Sequence, residues 1–345
     1  MPWRVAGQDQ ALAYLRRSLA QGTFPHALLF VGPPHTGKTT LALHVAQALN
    51  CLDEDPPCGS CAACRRIAAG KHADVVTLSL EGARSEDTGA ARKEIGIDRV
   101  RDLIHSAALP PFEGRFRVFL IDGAEDLSRE AANALLKTLE EPGPHVVLLL
   151  TAVDEEAVLP TVRSRCQRLV VQTAPVDAIA HLLEAEEGLA PQQAAALARV
   201  SRGRTGWAVR AARDPEFAAE WQRQRAAVWD MVRQGTEGRL AWAARQAADF
   251  RRRRAEVLAN LDVALDLWHD LLLLHAGCPP DLALATDDRE VLAAAARRLT
   301  LAEIMGAVRA LRAARAQLEQ NANPRLALDV LLLDLPSVGV AQGVV

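Results

Sequence analysis

Two spacings of apolar residues divide the chain. Up to about residue 172, short continuous apolar runs alternate with stretches of helical period. The runs are Ala27–Val31, Val75–Leu78, Arg117–Asp122, 145–151 and 166–171. Runs this short, bounded by Gly, Pro or polar clusters, read as strands. Between them the period lengthens over 11–19, 97–109 and 128–141, with stops at Gly22 and Pro25, at Pro110-Pro111 and at Pro142-Gly143-Pro144. Strands alternating with helices predict a parallel α/β sheet whose ligands gather at the strand C-termini. From Pro175 only the helical period survives. Val176–Glu187 and Pro191–Ser201 form a short unit ending at Gly203 and Gly206. Helical periodicity then runs from Trp207 to Leu335, broken at Gly235, 277–280 and 321–324. Three domains are expected: an α/β domain at 1–172, a small helical lid at 173–206 and an all-α domain at 207–345.

Composition agrees with the helical share. Half of the 345 residues are apolar but aromatics are only 4%, with Ala, Leu and Arg dominant, a mixture of good helix formers. A net charge of −3 argues against a protein that coats nucleic acid by itself. Met1-Pro2-Trp3-Arg4 has no signal-peptide character and no window reaches about 18 continuous apolar residues, so a cytoplasmic protein without a membrane segment is expected. The polar stretch 81–93 reads as a mobile loop.

Chemistry concentrates at the ends of the first and third runs. After Ala27–Val31 comes Gly32-Pro33-Pro34-His35-Thr36-Gly37-Lys38-Thr39-Thr40, the spacing G-x-x-x-x-G-K-T between a strand and a helix. Glycines at the two ends let consecutive backbone N–H groups turn inward around phosphates. Lys38 reaches the outer phosphates, Thr39 offers a hydroxyl to Mg²⁺, and the helix adds its positive end. A bound nucleoside triphosphate, ATP with Mg²⁺, is the expected ligand. Asp122 closes its apolar run as a Mg²⁺-holding carboxylate does; capping of the next turn is the plainer alternative. Hydrolytic sites of this layout place Glu next, to activate water. Here the residue is Gly123, and the spacing of Glu125 and Asp126 points them elsewhere, so binding without efficient cleavage is expected.

Cys51-x₆-Cys58-x₂-Cys61-x₂-Cys64 supplies four thiolates for one closed, structural Zn²⁺ site, with unligated cytosolic thiols as the alternative. His72 is a spare ligand or a satisfied polar side chain. Arg165, in Ser164-Arg165-Cys166, is placed either for an ordinary surface ion pair or to reach a neighbouring subunit's phosphates. Arg202 and Arg210 flank the glycines of the lid without a clear register. The run Arg251–254 spreads over all faces of a helix and reads as mainly solvated, with DNA or subunit contact as the minority reading.

These residues together resemble the bacterial clamp-loader subunits of DNA polymerase III, members of the AAA+ family. The resemblance is carried by Gly7-Gln8, 26–30, the P-loop, the cysteine module directly after the P-loop helix, 132–142, Ser164-Arg165-Cys166 and 321–326. It implies an AAA+ domain, a lid and a helical collar that holds a hetero-pentamer of γ/τ and δ-type subunits, with the sliding clamp and primer–template DNA met through the complex. It further implies a sensor role for Thr151 and an arginine-finger role for Arg165, given in trans to a neighbour's ATP site. Motor subunits of the γ/τ type carry Asp-Glu at 122–123 and an Arg where Gly206 stands. Both departures point to the δ′ type, with the γ/τ motor ATPase as the alternative.

Overall fold

The computed structural model describes residues 3, 5–80, 94–248, 250–278, 289–320 and 322–338. The expected 81–93 loop, the Pro279-Pro280 break and Asn321 lie outside the described residues. The chain forms two compact units, 1–213 and 214–345.

The first unit contains α1 (Asp9–Ala20), β1 (Ala27–Val31), α2 (Lys38–Asn50), α3 (Ala62–Ala68), β2 (Val75–Leu78), α4 (Ile97–Ala107), β3 (Arg117–Asp122), α5 (Arg129–Glu140), β4 (Val146–Ala152), α6 (Pro160–Arg163) and β5 (Gln167–Val170). The five strands are all parallel, in the order β2-β3-β4-β1-β5. Strand alternation sorts the apolar side chains onto two faces. Leu28, Phe30, Leu120 and Leu149 pack with Leu15 of α1 and Leu41 and Val45 of α2. Leu29, Ile121, Leu148 and Leu150 pack with Val100 and Leu103 of α4 and Leu135 of α5. A parallel sheet covered on both sides needs continuous apolar strands, which is why β1 and β3 have the bounds expected from the runs; β2, a partly buried edge strand, has them as well. Each fully buried Leu or Phe contributes about 1.5–3 kcal/mol, so the central strands hold the layers together.

Local signals set the helix ends. The Ser128 side chain caps α5 by accepting from the Ala131 amide at 3.1 Å, and the Pro-Gly-Pro stop follows. The short helices α3 and α6 have no counterpart in the apolar pattern. The unit closes with α7 (Val176–Glu187), α8 (Pro191–Ser201) and α9 (Thr205–Arg213). These bury Ile179, Leu183, Ala198 and Ala208 in a small cluster of their own, so the compact unit runs on to Arg213, beyond the 206 drawn from sequence.

The second unit is helical throughout: α10 (Pro215–Arg233), α11 (Thr236–Ala248), α12 (Phe250–His275), α13 (Arg289–Arg298), α14 (Leu301–Glu319) and α15 (Pro324–Asp334). Its core centres on Trp268, Leu271, Ile304 and Leu328. Asp214 with Pro215, Thr300 with Glu303, and Asn323 with Pro324 supply helix starts, as capping chemistry requires. Arg239 is buried with no carboxylate partner among the described residues; its guanidinium donates to the carbonyls of Leu335 and Val232 at 2.7 Å and of Pro336 at 3.0 Å. Burial lowers its pKa, and helix-end carbonyls are the negative poles that offset the charge. In the arginine run Arg252 and Arg253 are exposed, in line with a mainly solvated face, while Arg254 is half-buried. The backbone is non-helical at Arg253 (φ −120°, ψ 30°), and Arg254 donates to the last carbonyls of α14, Leu318 at 3.2 Å and Glu319 at 2.7 Å. Among the described residues no helix is long and apolar enough to cross a membrane.

Candidate nucleotide and metal sites

The P-loop links β1 to α2, between β4 and β5 at the C-terminal edge of the sheet. Two residues take left-handed backbone there, Gly37 (φ +96°) and, against the usual preference, His35 (φ +61°). Gly32 lies so close to β5's continuation that a Cβ would come within 2.0 Å of the Val171 carbonyl. The loop's shape thus fixes its glycines. Lys38 opens α2, and its Nζ donates to the carbonyls of Gly32 and Pro33 at 2.8 Å each. The Thr36 hydroxyl donates to the Pro33 carbonyl at 2.9 Å. Burial lowers the Lys38 pKa, opposed by the charges of Glu125 and then Asp122.

Strand register assembles the rest. Thr151 lies opposite Asp122 on one side and Phe30 on the other. Its hydroxyl donates to Asp122 Oδ1 at 2.6 Å, and the Thr39 hydroxyl reaches the same oxygen at 2.8 Å. The Gly123 amide donates to Thr151 Oγ1 at 3.1 Å. Lys38, Thr39, Asp122 and Thr151 are therefore gathered at one place, where hydroxyls and a carboxylate suit a hard, oxygen-seeking cation such as Mg²⁺ and the loop amides suit phosphate. Pro33, Pro34 and Thr40 complete the loop and the first turn of α2.

Two features escaped the sequence reading. Glu125 sits in the 3-10 turn Ala124–Asp126, accepts from the Val153 amide at 3.0 Å, and its charge opposes the lowering of the Lys38 pKa. The start of α9 also meets the P-loop: the Gly206 amide donates to the His35 carbonyl at 2.7 Å. Burial first, then the charges of Arg204, Arg210 and Lys38, hold the His35 imidazole below its usual pKa. Arg210, whose register was open in the sequence, thus belongs to the surroundings of the loop together with Arg204.

Arg165 is not part of this cluster. Its Nε donates to Glu140 Oε1 at 2.8 Å, with a further Nη2 contact to the same oxygen. Its Nη1 donates to the Thr161 carbonyl at 2.8 Å and the Ser164 hydroxyl at 3.2 Å. It is held between α5 and α6, with a third of its side chain exposed.

The cysteines converge at the other end of α2. Cys51 follows Asn50, and the sulfurs of Cys51, Cys58, Cys61 and Cys64 lie within 4.8 Å of one another. Cys58 and Cys64 Sγ are 4.0 Å apart. Four thiolates around Zn²⁺ stand about 3.8 Å apart for Zn–S bonds of about 2.3 Å, so the spacing fits. Backbone N–H groups already aim at the sulfurs: Cys58 on Cys51 at 3.4 Å, Cys61 on Cys58 at 3.3 Å and Cys64 on Cys61 at 3.4 Å. The Cys61 amide is the main cause that draws the Cys58 thiol down to about 6, while burial pushes Cys64 up. Such donors stabilise thiolate charge around a metal, and the cluster could bind zinc. His72 is not a fifth ligand here. Its Nδ1 accepts from the Asp74 amide at 3.1 Å, and Asp74, fully buried, accepts from the amides of Phe112, Glu113 and Gly114 at 2.7–2.8 Å.

Comparison with known proteins agrees with this geometry. Residues 7–175 match the family described as "DNA polymerase III, delta subunit". DNA polymerase III subunit tau of Escherichia coli is 37% identical over 206 residues, covering 58% of this chain and 30% of that protein. The tau subunit of Bacillus subtilis is 35% identical over 189 residues, 53% of this chain and 32% of its own length. The chain thus covers about a third of the length of these relatives. A Thermotoga maritima DNA polymerase III gamma subunit-related protein superposes over 94% of this chain and 97% of its own, at 19% identity and a TM-score of 0.43. The RuvB Holliday junction branch migration motor of the same organism covers 60% and 61%, at 18% identity and a TM-score of 0.42. The profile match carries a delta description, whereas these sequence relatives carry the tau name. Over residues 7–175, which carry the parallel sheet and the P-loop, the chain therefore matches a family of DNA polymerase III subunits.

Proposed function

We propose that the chain is a clamp-loader subunit that seats ATP and assists ATP-dependent loading of the sliding clamp onto primed DNA. The observation that carries the nucleotide part is the bonding of Thr39 and Thr151 to one oxygen of Asp122 beside Lys38. The loop amides of 32–37 and Lys38 would hold the phosphates, and Thr39 with Asp122 would hold Mg²⁺. That ion supplies charge neutralisation at the transferring phosphoryl group. Zn²⁺ on the four cysteines is a structural partner of the same domain. By family likeness the subunit stands in a hetero-pentamer with γ/τ and δ subunits, in the cytoplasm.

Our first reading is the δ′ type, in which the seat binds ATP and cleaves it poorly. It rests on Gly123 and Gly206. Gly123 is left-handed (φ +87°), and a Cβ there would come within 2.5 Å of Asp126 Oδ2, so the turn is built around glycine. The second reading is the γ/τ-type motor ATPase, favoured by the names of the relatives and by the complete set Lys38, Thr39, Asp122 and Thr151. In both, Arg165 is the finger that leaves Glu140 for a neighbour's site. The test measures ATP hydrolysis of the chain alone and after mixing with γ/τ and δ subunits, with parent and Arg165→Ala. We expect little hydrolysis alone, and clamp loading that falls with Arg165→Ala while assembly persists. Robust hydrolysis by the chain alone would favour the motor reading, and normal loading by Arg165→Ala would remove the finger role.

A further inference from the structure

Gly123 removes a carboxylate from the residue after Asp122, yet the turn that Gly123 makes brings another one in. Its left-handed backbone sends the chain into the 3-10 turn Ala124–Asp126. That turn folds Glu125 back toward the end of β4, where the Val153 amide donates to Oε1 at 3.0 Å. Val153 stands two residues beyond Thr151, the same Thr151 that bonds Asp122. The other carboxylate oxygen, Oε2, is buried and has no hydrogen-bond partner among the described residues. Leaving such an acceptor unsatisfied costs about 1–3 kcal/mol, more when it is charged, and an orphaned buried polar atom calls for an explanation, function among them. Glu125 thus stands by the same strand ends as Asp122 and Thr151, at the C-terminal edge of the sheet.

We propose that Glu125 is the general base of this site, supplying from one turn further on the carboxylate that position 123 lacks. The inference rests on the ATP-seat reading above and deepens it: whatever hydrolysis the seat retains runs through Glu125. In the step, the Glu125 carboxylate takes a proton from a water molecule as the water oxygen bonds to the γ-phosphorus. The bond from that phosphorus to the bridging oxygen breaks, and its electron pair leaves with ADP. The proton on Glu125 then passes to the released phosphate or to solvent, restoring the carboxylate. The Val153 amide fixes one oxygen so that the other is the acceptor. A base one turn away from the usual place is held less directly in line, in keeping with slow turnover.

The test uses the full chain with Mg·ATP, as parent and as Glu125→Gln, which keeps an oxygen for the Val153 amide and the size of the side chain. Two quantities are read: ATP affinity, by equilibrium titration with a fluorescent ATP analogue, and phosphate release in a single turnover. Circular dichroism of both proteins checks that they fold alike. The expected result is phosphate release slower by about a hundredfold or more, the usual share of a general base, with ATP affinity unchanged. Equal release by parent and Glu125→Gln would overturn the assignment, as would an ATP-bound parent that releases no phosphate above buffer. Loss of ATP affinity in Glu125→Gln would overturn it too, by making Glu125 part of the seat. A parent chain that binds no ATP would instead defeat the ATP-seat reading, and this inference with it.

Discussion

The two ends of α2 are built in opposite ways. At its first residue, Lys38, the surroundings are made by backbone shape: left-handed His35 and Gly37, a glycine pressed on Val171, and carbonyls that occupy a buried ammonium. At its last residue, Asn50, side chains hold the chain. Asn50 Oδ1 accepts from the amides of Arg115 and Phe116 at 2.8 and 2.9 Å, its amide donates to the Phe116 carbonyl at 3.0 Å, and Cys51 follows directly as a member of the thiol cluster. Asp74 continues this network by clamping 112–114. One end is a seat that gives up stability for a ligand, and the other is a lock that supplies stability. Polar groups buried in the first kind of place are costly without their ligand, while those in the second satisfy each other.

The sharpest test of that contrast is at the lock. Removing metal with a chelator, or replacing buried Cys64 by Ser, should lower thermal stability by several kcal/mol, since structural zinc contributes about 10 kcal/mol or more in small domains. Metal analysis should show the bound zinc lost in parallel. A variant as stable as the parent, with no metal in either, would break the comparison at once.

Asp74→Ala comes next. It leaves three amide donors without their carboxylate acceptor, and should cost about 1–3 kcal/mol by denaturant unfolding. Burial alone would raise the Asp74 pKa, but the amides of Phe112, Glu113 and Gly114, and then the Arg117 charge, outweigh it and hold the carboxyl below its usual range. A carboxyl lowered in the folded state contributes stability that is complete above its unfolded pKa and is lost as pH falls through the folded one. Acid unfolding should therefore show a loss below about pH 4 that is flattened in Asp74→Asn.

At the seat the sign should reverse. Lys38→Ala removes a charge that burial disfavours, so without nucleotide it should be neutral or slightly stabilising. With nucleotide it should weaken ATP binding by about 10- to 100-fold, the range of a charged hydrogen bond, measured by calorimetric titration. The smallest effect is expected for Gly206→Ala. Its Cβ would stand 3.0 Å from the His35 carbonyl, and the crowding should cost about 1 kcal/mol, read as a modest drop in ATP affinity.

Legibility in the sequence followed the same division. Strands β1 and β3 were readable because both of their faces are buried, which forces an unbroken apolar run; β2, at the sheet edge, is only partly buried but short and apolar enough to show. The ends of α5 were readable from Ser128 and Pro142. The P-loop, Asp122 and the four cysteines announce themselves by spacing, whereas Thr151 came from the family resemblance, and the strand register sets it beside Asp122. What sequence reading missed depends on groups brought together from afar. Asp74 is one acidic residue among many until the 112–114 amides turn toward it. Glu125 looked misplaced because the count from Asp122 assumed that the strand ran on, whereas Gly123 ends it. The proximity of Arg204 and Arg210 to His35 arises only once α9 docks at Gly206. Helix α3 was missed because it is short and because Cys64, buried beside Ala63 and Ile67, was read as a ligand rather than as part of a helical face.

The hydrogen bond from Gly206 to His35 has a practical consequence. A backbone amide exchanges its proton with solvent only when its acceptor lets go. The acceptor of this amide is the carbonyl of the one non-glycine residue of the P-loop held in left-handed backbone. Hydrogen exchange at Gly206 is therefore a built-in gauge of the loop's openings, readable without a label, a mutation or a turnover assay.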